Sequence, residues 1–198
     1  MLTQLKRICF IGLLAVLSSA SNDALSNEQP SLFEQFNLEQ TWPEKHRLAT
    51  DILSNPDVPN LQRITIYSDL AELAFAQSDL ANALKYFKLL EISSTLKDQP
   101  KLYFRAIKMQ GVVLYYQGLV QQAVVDYNRA LNIAITLKNP IKQANLLSNI
   151  GLAYFDMYNM ELALDYYQQA KVIYEKEGSA QDKADILHNI AGIYIRLS

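Results

Sequence analysis

Side-chain catalysis needs a nucleophile, a base and a group that orients the base, and this sequence places no such set in motif form. Its histidines are His46 and His188, its one cysteine is Cys9, and neither a glycine-rich phosphate loop nor an HExxH pair of metal ligands occurs. The carboxylates that could stand in, Asp126, Asp156, Glu161 and Asp165, lie at helix-surface spacings and are expected on a solvated face. No catalytic residue, cofactor or metal is therefore expected, and the protein does not read as an enzyme. Binding is the chemistry left, and it depends on the elements that would hold the binding side chains.

Those elements follow a period of forty residues. Small residues recur at Ala71, Gly111, Gly151 and Ala191, and the same step links Ala83, Ala123 and Ala163, then Phe87, Tyr127 and Tyr167, then Leu90, Ala130 and Ala170. A fixed period of this size marks a stacked array. Within one unit, Leu147, Ile150, Gly151 and Tyr154 stand at i, i+3, i+4 and i+7, one face of a helix. Ala163, Tyr167 and Ala170 form a matching stripe on a second helix, so each unit is an antiparallel hairpin, with a break here near Tyr158 and Asn159. The punctuation keeps the period: Pro100 and Pro140 suit first helical positions, Asn60, Asp79, Asn139 and Ser179 suit N-caps, and Gly118 and Gly178 fall at helix ends. The helix capped by Asp79 is expected to run to about Lys97.

Leu147-x2-Ile150-Gly151-x2-Tyr154 followed by Ala163-x3-Tyr167-x2-Ala170 resembles the tetratricopeptide repeat, TPR, whose pattern is W-x2-L-G-x2-Y…A-x3-F…P. Leu147 stands where the family has tryptophan, and the forty-residue period exceeds the family's usual length of about 34. The resemblance covers residues 61–198 and implies an all-α, right-handed solenoid of antiparallel helical hairpins. It also implies a concave groove lined by the first helix of each unit. With Gly111, Gly151 and Ala191 at position eight, the family's groove positions fall on Lys108, Met109, Val112, Tyr115 and Tyr116, on Ser148, Asn149, Leu152, Phe155 and Asp156, and on His188, Asn189, Gly192, Ile195 and Arg196. Lys108, Tyr115, Tyr116, Ser148, Asn149, Phe155, His188, Asn189 and Arg196 are the peptide-binding candidates. Asn149 and Asn189 take the slot where many peptide-binding members carry an asparagine, whose amide donates and accepts as an extended backbone requires. Met109 interrupts that series in the preceding unit.

The N-terminus has the form of a signal peptide over residues 1–20: Lys6 and Arg7, an apolar run from Ile8 to Leu17, then Ser18-Ser19-Ala20. Its removal takes two of the 18 basic residues and none of the 20 acidic ones, moving the net charge from −2 to −4. That mild acidity argues against nucleic acid and anionic membranes as partners. An exported, periplasmic chain without disulfides must be held by packing alone. Residues 21–60 form a polar linker and a degenerate helical cap in which Trp42 packs. The last unit is incomplete, and Ile186, Leu187, Ile190, Ile193, Tyr194, Ile195 and Leu197 leave apolar surface for an oligomer or a continuing chain to cover. The expected function is an exported TPR scaffold that binds a peptide or protein segment in its groove. The alternative is the extracytoplasmic sensor region of a larger membrane-bound signalling protein, a diguanylate cyclase or histidine kinase.

Overall fold

The forty-residue step reappears in the positions where helices begin. The computed structural model describes residues 30–95 and 97–197, so the signal segment expected at 1–20 lies outside the described residues. The helices are α1 (Leu32–Leu38), α2 (Trp42–Leu53), α3 (Asn60–Ala76), α4 (Leu80–Ser93), α5 (Pro100–Tyr116), α6 (Val120–Thr136), α7 (Pro140–Asp156), α8 (Met160–Glu177) and α9 (Ala180–Leu197). First helices start at 60, 100, 140 and 180, second helices at 80, 120 and 160, and each packs on the next along the chain. The left-handed residue that closes each hairpin also keeps the step: Ser78 (φ 61°), Gly118 (φ 77°) and Tyr158 (φ 60°).

Small residues recur because two helix backbones meet there. A Cβ on Gly151 would stand 2.6 Å from the Tyr167 ring, and one on Gly111 would stand 2.7 Å from the Tyr127 ring. In the α3–α4 hairpin the corresponding Ala71 and Phe87 are fully buried. Leu147, in the slot where the repeat pattern has tryptophan, is 6% exposed, so a smaller apolar residue still closes that layer. The hydroxyl of Tyr174 donates to Asn145 Oδ1 at 2.6 Å, tying the end of α8 back to α7.

Burial pushes the Tyr167 and Tyr174 phenols up to about 12, and it raises Tyr127 as well. A group raised in the folded state gives stability that is complete below its ordinary value, near 10 here, and lost as pH climbs through the folded value. The midpoint of urea unfolding is therefore expected to fall between pH 10 and pH 12. A midpoint unchanged across that window would place these phenols in water.

Several local expectations need correction. Helix α4 stops at Ser93, a turn short of Lys97, because Ser94 turns extended (φ −110°, ψ 152°) and its hydroxyl donates to the Leu90 carbonyl at 2.6 Å. Asn60 does not cap α3 but begins it, and its amide donates to the Ser93 carbonyl at 3.0 Å. At the start of α2 the hydroxyl of Thr41 donates to Glu39 at 2.6 Å and makes no cap hydrogen bond. Asp79, Asn139 and Asn159 do cap, each accepting from the backbone N–H three residues on. Asp126 is not on a solvated face: it is 9% exposed and pairs with Arg129 at 2.8 Å. Arg129 also holds Glu91, which accepts from the buried Gln110 at 2.6 Å, so one polar network fastens α4, α5 and α6 together.

Helices α1 and α2 close the start of the array. Phe36 is fully buried, with the Lys45 ammonium 4.5 Å from its ring centroid. Lys45, 7% exposed, ion-pairs with Asp69 of α3 at 3.0 Å. The Trp42 ring packs 5.3 Å from His46 and 6.3 Å from Tyr86, as expected for a residue of the cap.

Candidate functional site

Because the register repeats, residues forty apart come to one face, and α3, α5, α7 and α9 present theirs side by side. Links between neighbouring first helices run along it: Arg105 of α5 pairs with Glu72 of α3 at 2.7 Å. Lys142 of α7 lies 4.5 Å from the Phe104 ring centroid of α5, and Tyr115 of α5 donates to Asp156 Oδ2 of α7. The Arg196 guanidinium of α9 lies 5.1 Å from the Phe155 centroid and 4.4 Å from that of Tyr158.

The predicted site residues all lie on α5, α7 and α9, but the structure gives them different work. Leu152 and Phe155 of α7 join His188, Asn189 and Gly192 of α9 around a pocket of about 140 Å³ that reaches the Tyr167 ring. A Cβ on Gly192 would meet nothing within 4 Å, so this glycine leaves room rather than permitting a close contact. Ser148, Asn149 and Asn189 are half-buried, and neither asparagine amide has a hydrogen-bond partner among the described residues. These are the polar groups that the packing leaves available.

Of the aromatic candidates, Tyr115 is held by its bond to Asp156, Tyr116 is exposed, and Phe155 lines the pocket. Tyr115 packs edge-on against Tyr116 at 5.8 Å, and Tyr116 lies 5.9 Å from Phe75. Burial and the bond to Asp156 both push the Tyr115 phenol up, so it stays protonated as a donor. Asp156 is exposed, as its helix-surface spacing led us to expect, and it accepts that bond from Tyr115. Met109 and Val112, groove positions by register, lean into the hydrophobic core instead.

The free charges on this face are cationic. Lys108 is half-buried, and among the described residues no carboxylate lies within ion-pairing distance of Lys108, Lys142 or Arg196. Burial holds the Lys108 ammonium below the ordinary lysine value; Glu72 opposes that shift, while Arg105 and Lys142 add to it. A desolvated cation beside two others is stabilised by a carboxylate brought to it. Lys142, Arg105 and Phe75 were missed by sequence reasoning, although Phe75 stands one forty-residue step before Tyr115. Tyr158 was read only as a break. It is 72% exposed and holds a left-handed backbone that costs a non-glycine residue about 1–2 kcal/mol, with Arg196 over its ring. The equivalent Gly118 pays no such penalty, and that contrast in the sequence was the available signal.

Hairpins of paired helices stacked at a constant step, with small-to-aromatic contacts inside each, make a helical repeat solenoid. Residues 143–177, most of α7 and all of α8, match the model of the tetratricopeptide repeat, and the fold is TPR-like. Solved structures agree on the fold. The apo form of RapI is 12% identical, with 84% of this chain and 62% of that chain covered and a TM-score of 0.70. BtubC from P. vanneervenii is 16% identical, over 77% of this chain and 65% of that one, with a TM-score of 0.65. A signal transduction ATPase with a tetratricopeptide repeat sensor, from Pyrococcus horikoshii, is 22% identical over 79% of this chain, with a TM-score of 0.64. The chain spans 65% of the BtubC chain and 24% of that ATPase. No curated protein matches it in sequence. At these identities the likeness concerns the fold.

Proposed function

We propose that this protein is an exported scaffold that captures an extended, acidic segment of a partner protein on the face formed by α3, α5, α7 and α9. The observation that carries this reading is the pairing of unused groups on one face. The amides of Asn149 and Asn189 make no internal hydrogen bond, and Lys108 and Arg196 have no carboxylate partner among the described residues. An extended backbone offers both donors and acceptors to an amide, and acidic side chains meet the cations. The pocket between α7 and α9 takes one small apolar side chain.

The test uses fluorescein-labelled peptides of about a dozen residues, one set rich in Asp and Glu with a single Leu and a second set with Lys in place of the acids, followed by anisotropy. Acidic peptides are expected to bind, and their affinity to fall with added salt. Asn149→Ala with Asn189→Ala should weaken binding roughly tenfold, from the loss of about 0.5–1.5 kcal/mol per hydrogen bond, with the thermal transition nearly unmoved. Equal affinity in the double variant would remove both amides from the site.

A second reading, the sensor region of a larger membrane-bound signalling protein, draws on the fold shared with an ATPase that carries a TPR sensor. Among the described residues no helix is long and apolar enough to cross a membrane. Reading the gene past codon 198 tests this: an apolar span of about 20 residues followed by a signalling domain would favour the sensor. Alkaline phosphatase fused after residue 30 tests export, since activity is expected only if the first 20 residues direct secretion.

A further inference from the structure

Three glycines lie inside the first helices, and only two of them are required by packing. A Cβ on Gly111 or Gly151 would stand 2.7 Å or 2.6 Å from a tyrosine ring of the following helix. Gly192 of α9 differs: a Cβ there would meet nothing within 4 Å, and it lies in the interior of a regular helix. At the same register α5 carries Val112 and α7 carries Leu152, so the ladder of first helices loses a side chain at this step. A glycine inside a helix is less stable than an alanine. Gly192 therefore weakens α9 without easing any contact, and its one structural consequence is an opening. The pocket of about 140 Å³ between α7 and α9 is lined by Leu152, Phe155, His188, Asn189 and Gly192, with the buried Tyr167 ring at its depth. A cavity of about 150 Å³ holds one benzene-sized group, so the space takes one leucine-sized side chain.

We infer that the partner segment carries a leucine-sized aliphatic side chain two residues from an acidic one, the first seated in the pocket that Gly192 opens and the second paired with Arg196. The inference rests on the groove reading and adds the sequence that the partner presents. Spacing sets the two-residue interval. Arg196 stands one turn on from Gly192, and its guanidinium lies 5.1 Å from the centroid of Phe155, a ring that lines the pocket. Four residues of helix rise about 6 Å. Alternate side chains on one side of an extended segment stand about 6.6 Å apart. An aliphatic side chain in the pocket therefore brings the acid two positions away to the guanidinium, where a charge-assisted bond forms. Asn189 lines the pocket and its amide has no internal partner, so it meets the backbone between the two side chains. Gly192 is then the residue that sets specificity, because any larger side chain at that position fills the space the ligand needs.

The test follows acidic fluorescein-labelled peptides by anisotropy, identical except at one position two residues from an aspartate, where leucine or alanine stands. The leucine peptide is expected to bind at least about tenfold more tightly than the alanine peptide, the effect of burying one such side chain. A third peptide of the same composition, with the aspartate moved next to the leucine, should bind about tenfold more weakly than the first. Gly192→Leu is expected to bring the leucine peptide down to the affinity of the alanine peptide, and Gly192→Ala to narrow the gap. Both variants should melt no lower than the unaltered chain, since the new side chain enters open space. Acidic peptides that bind without preference for leucine overturn the inference and leave the groove reading in place. So does equal binding of the two aspartate positions, a preference that survives Gly192→Leu, or a variant that melts markedly lower. If no acidic peptide binds the unaltered chain, the groove reading and this inference fall together.

Discussion

Tyr167→Ala is expected to cost about 3–5 kcal/mol of stability, the range for deleting a large buried aromatic side chain. Tyr167 is 1% exposed and is among the largest fully buried side chains of the protein. Its ring lies where a Cβ on Gly151 would stand, 2.6 Å away, so glycine and ring form one device split between α7 and α8. Gly151→Leu should cost about 1–3 kcal/mol by overpacking. The double variant is the sharper measurement, because the leucine then enters space the ring has vacated. Its cost should fall well short of the sum of the two single costs, by about 0.5–3 kcal/mol. Urea unfolding of the four proteins closes the cycle. A cost below about 1 kcal/mol for Tyr167→Ala, or strictly additive costs, would mean that the contact does not hold the hairpin together.

That device was legible in the sequence because it repeats. Gly111 with Tyr127 and Gly151 with Tyr167 stand at the same offsets, and only a backbone-to-ring contact explains why a small residue must accompany an aromatic one. The same step located the proline-started helices α5 and α7 and assigned the groove positions to α5, α7 and α9. What the period did not carry was anything decided between neighbouring helices. The end of α4 was missed because Ser94 spends its hydroxyl on the helix's own last carbonyls, a competition that hydroxyl residues offer wherever packing does not forbid it. Asp126 was misplaced because its burial depends on Arg129, which Glu91 of α4 fixes from the other side. In the site, the register placed the candidates on three helices, while their contacts with neighbouring helices were not legible. Tyr115 and Phe155 read as ligand-holding aromatics, yet each is engaged by the next first helix, through Asp156 and Arg196 respectively. Those partners lie about forty residues away, and only the rotation between hairpins decides whether they meet.

The binding reading stands or falls with the cations that this rotation leaves unpaired. Lys108 and Arg196 lie on α5 and α9, with the half-buried amides of Asn149 and Asn189 on α7 and α9. A segment that reaches from one cation to the other passes the amides and the pocket at Leu152. Reversing both charges should therefore do more than remove two contacts, since each site then repels the ligand's carboxylates. The loss expected is about a hundredfold or more, from two charge-assisted contacts of about 1.5–3 kcal/mol each. The reversal also removes the Arg196 contact with the Phe155 and Tyr158 rings and places a carboxylate at the half-buried position 108, so the thermal transition is expected to fall modestly and binding is compared at a temperature where both proteins are folded. The most direct measurement is the affinity of the acidic peptides for Lys108→Glu with Arg196→Glu, read by anisotropy beside the unaltered chain at low salt. The prediction is that acidic peptides are lost and their lysine-rich counterparts gain binding. Undiminished binding of the acidic set to the reversed face would contradict the groove as the site.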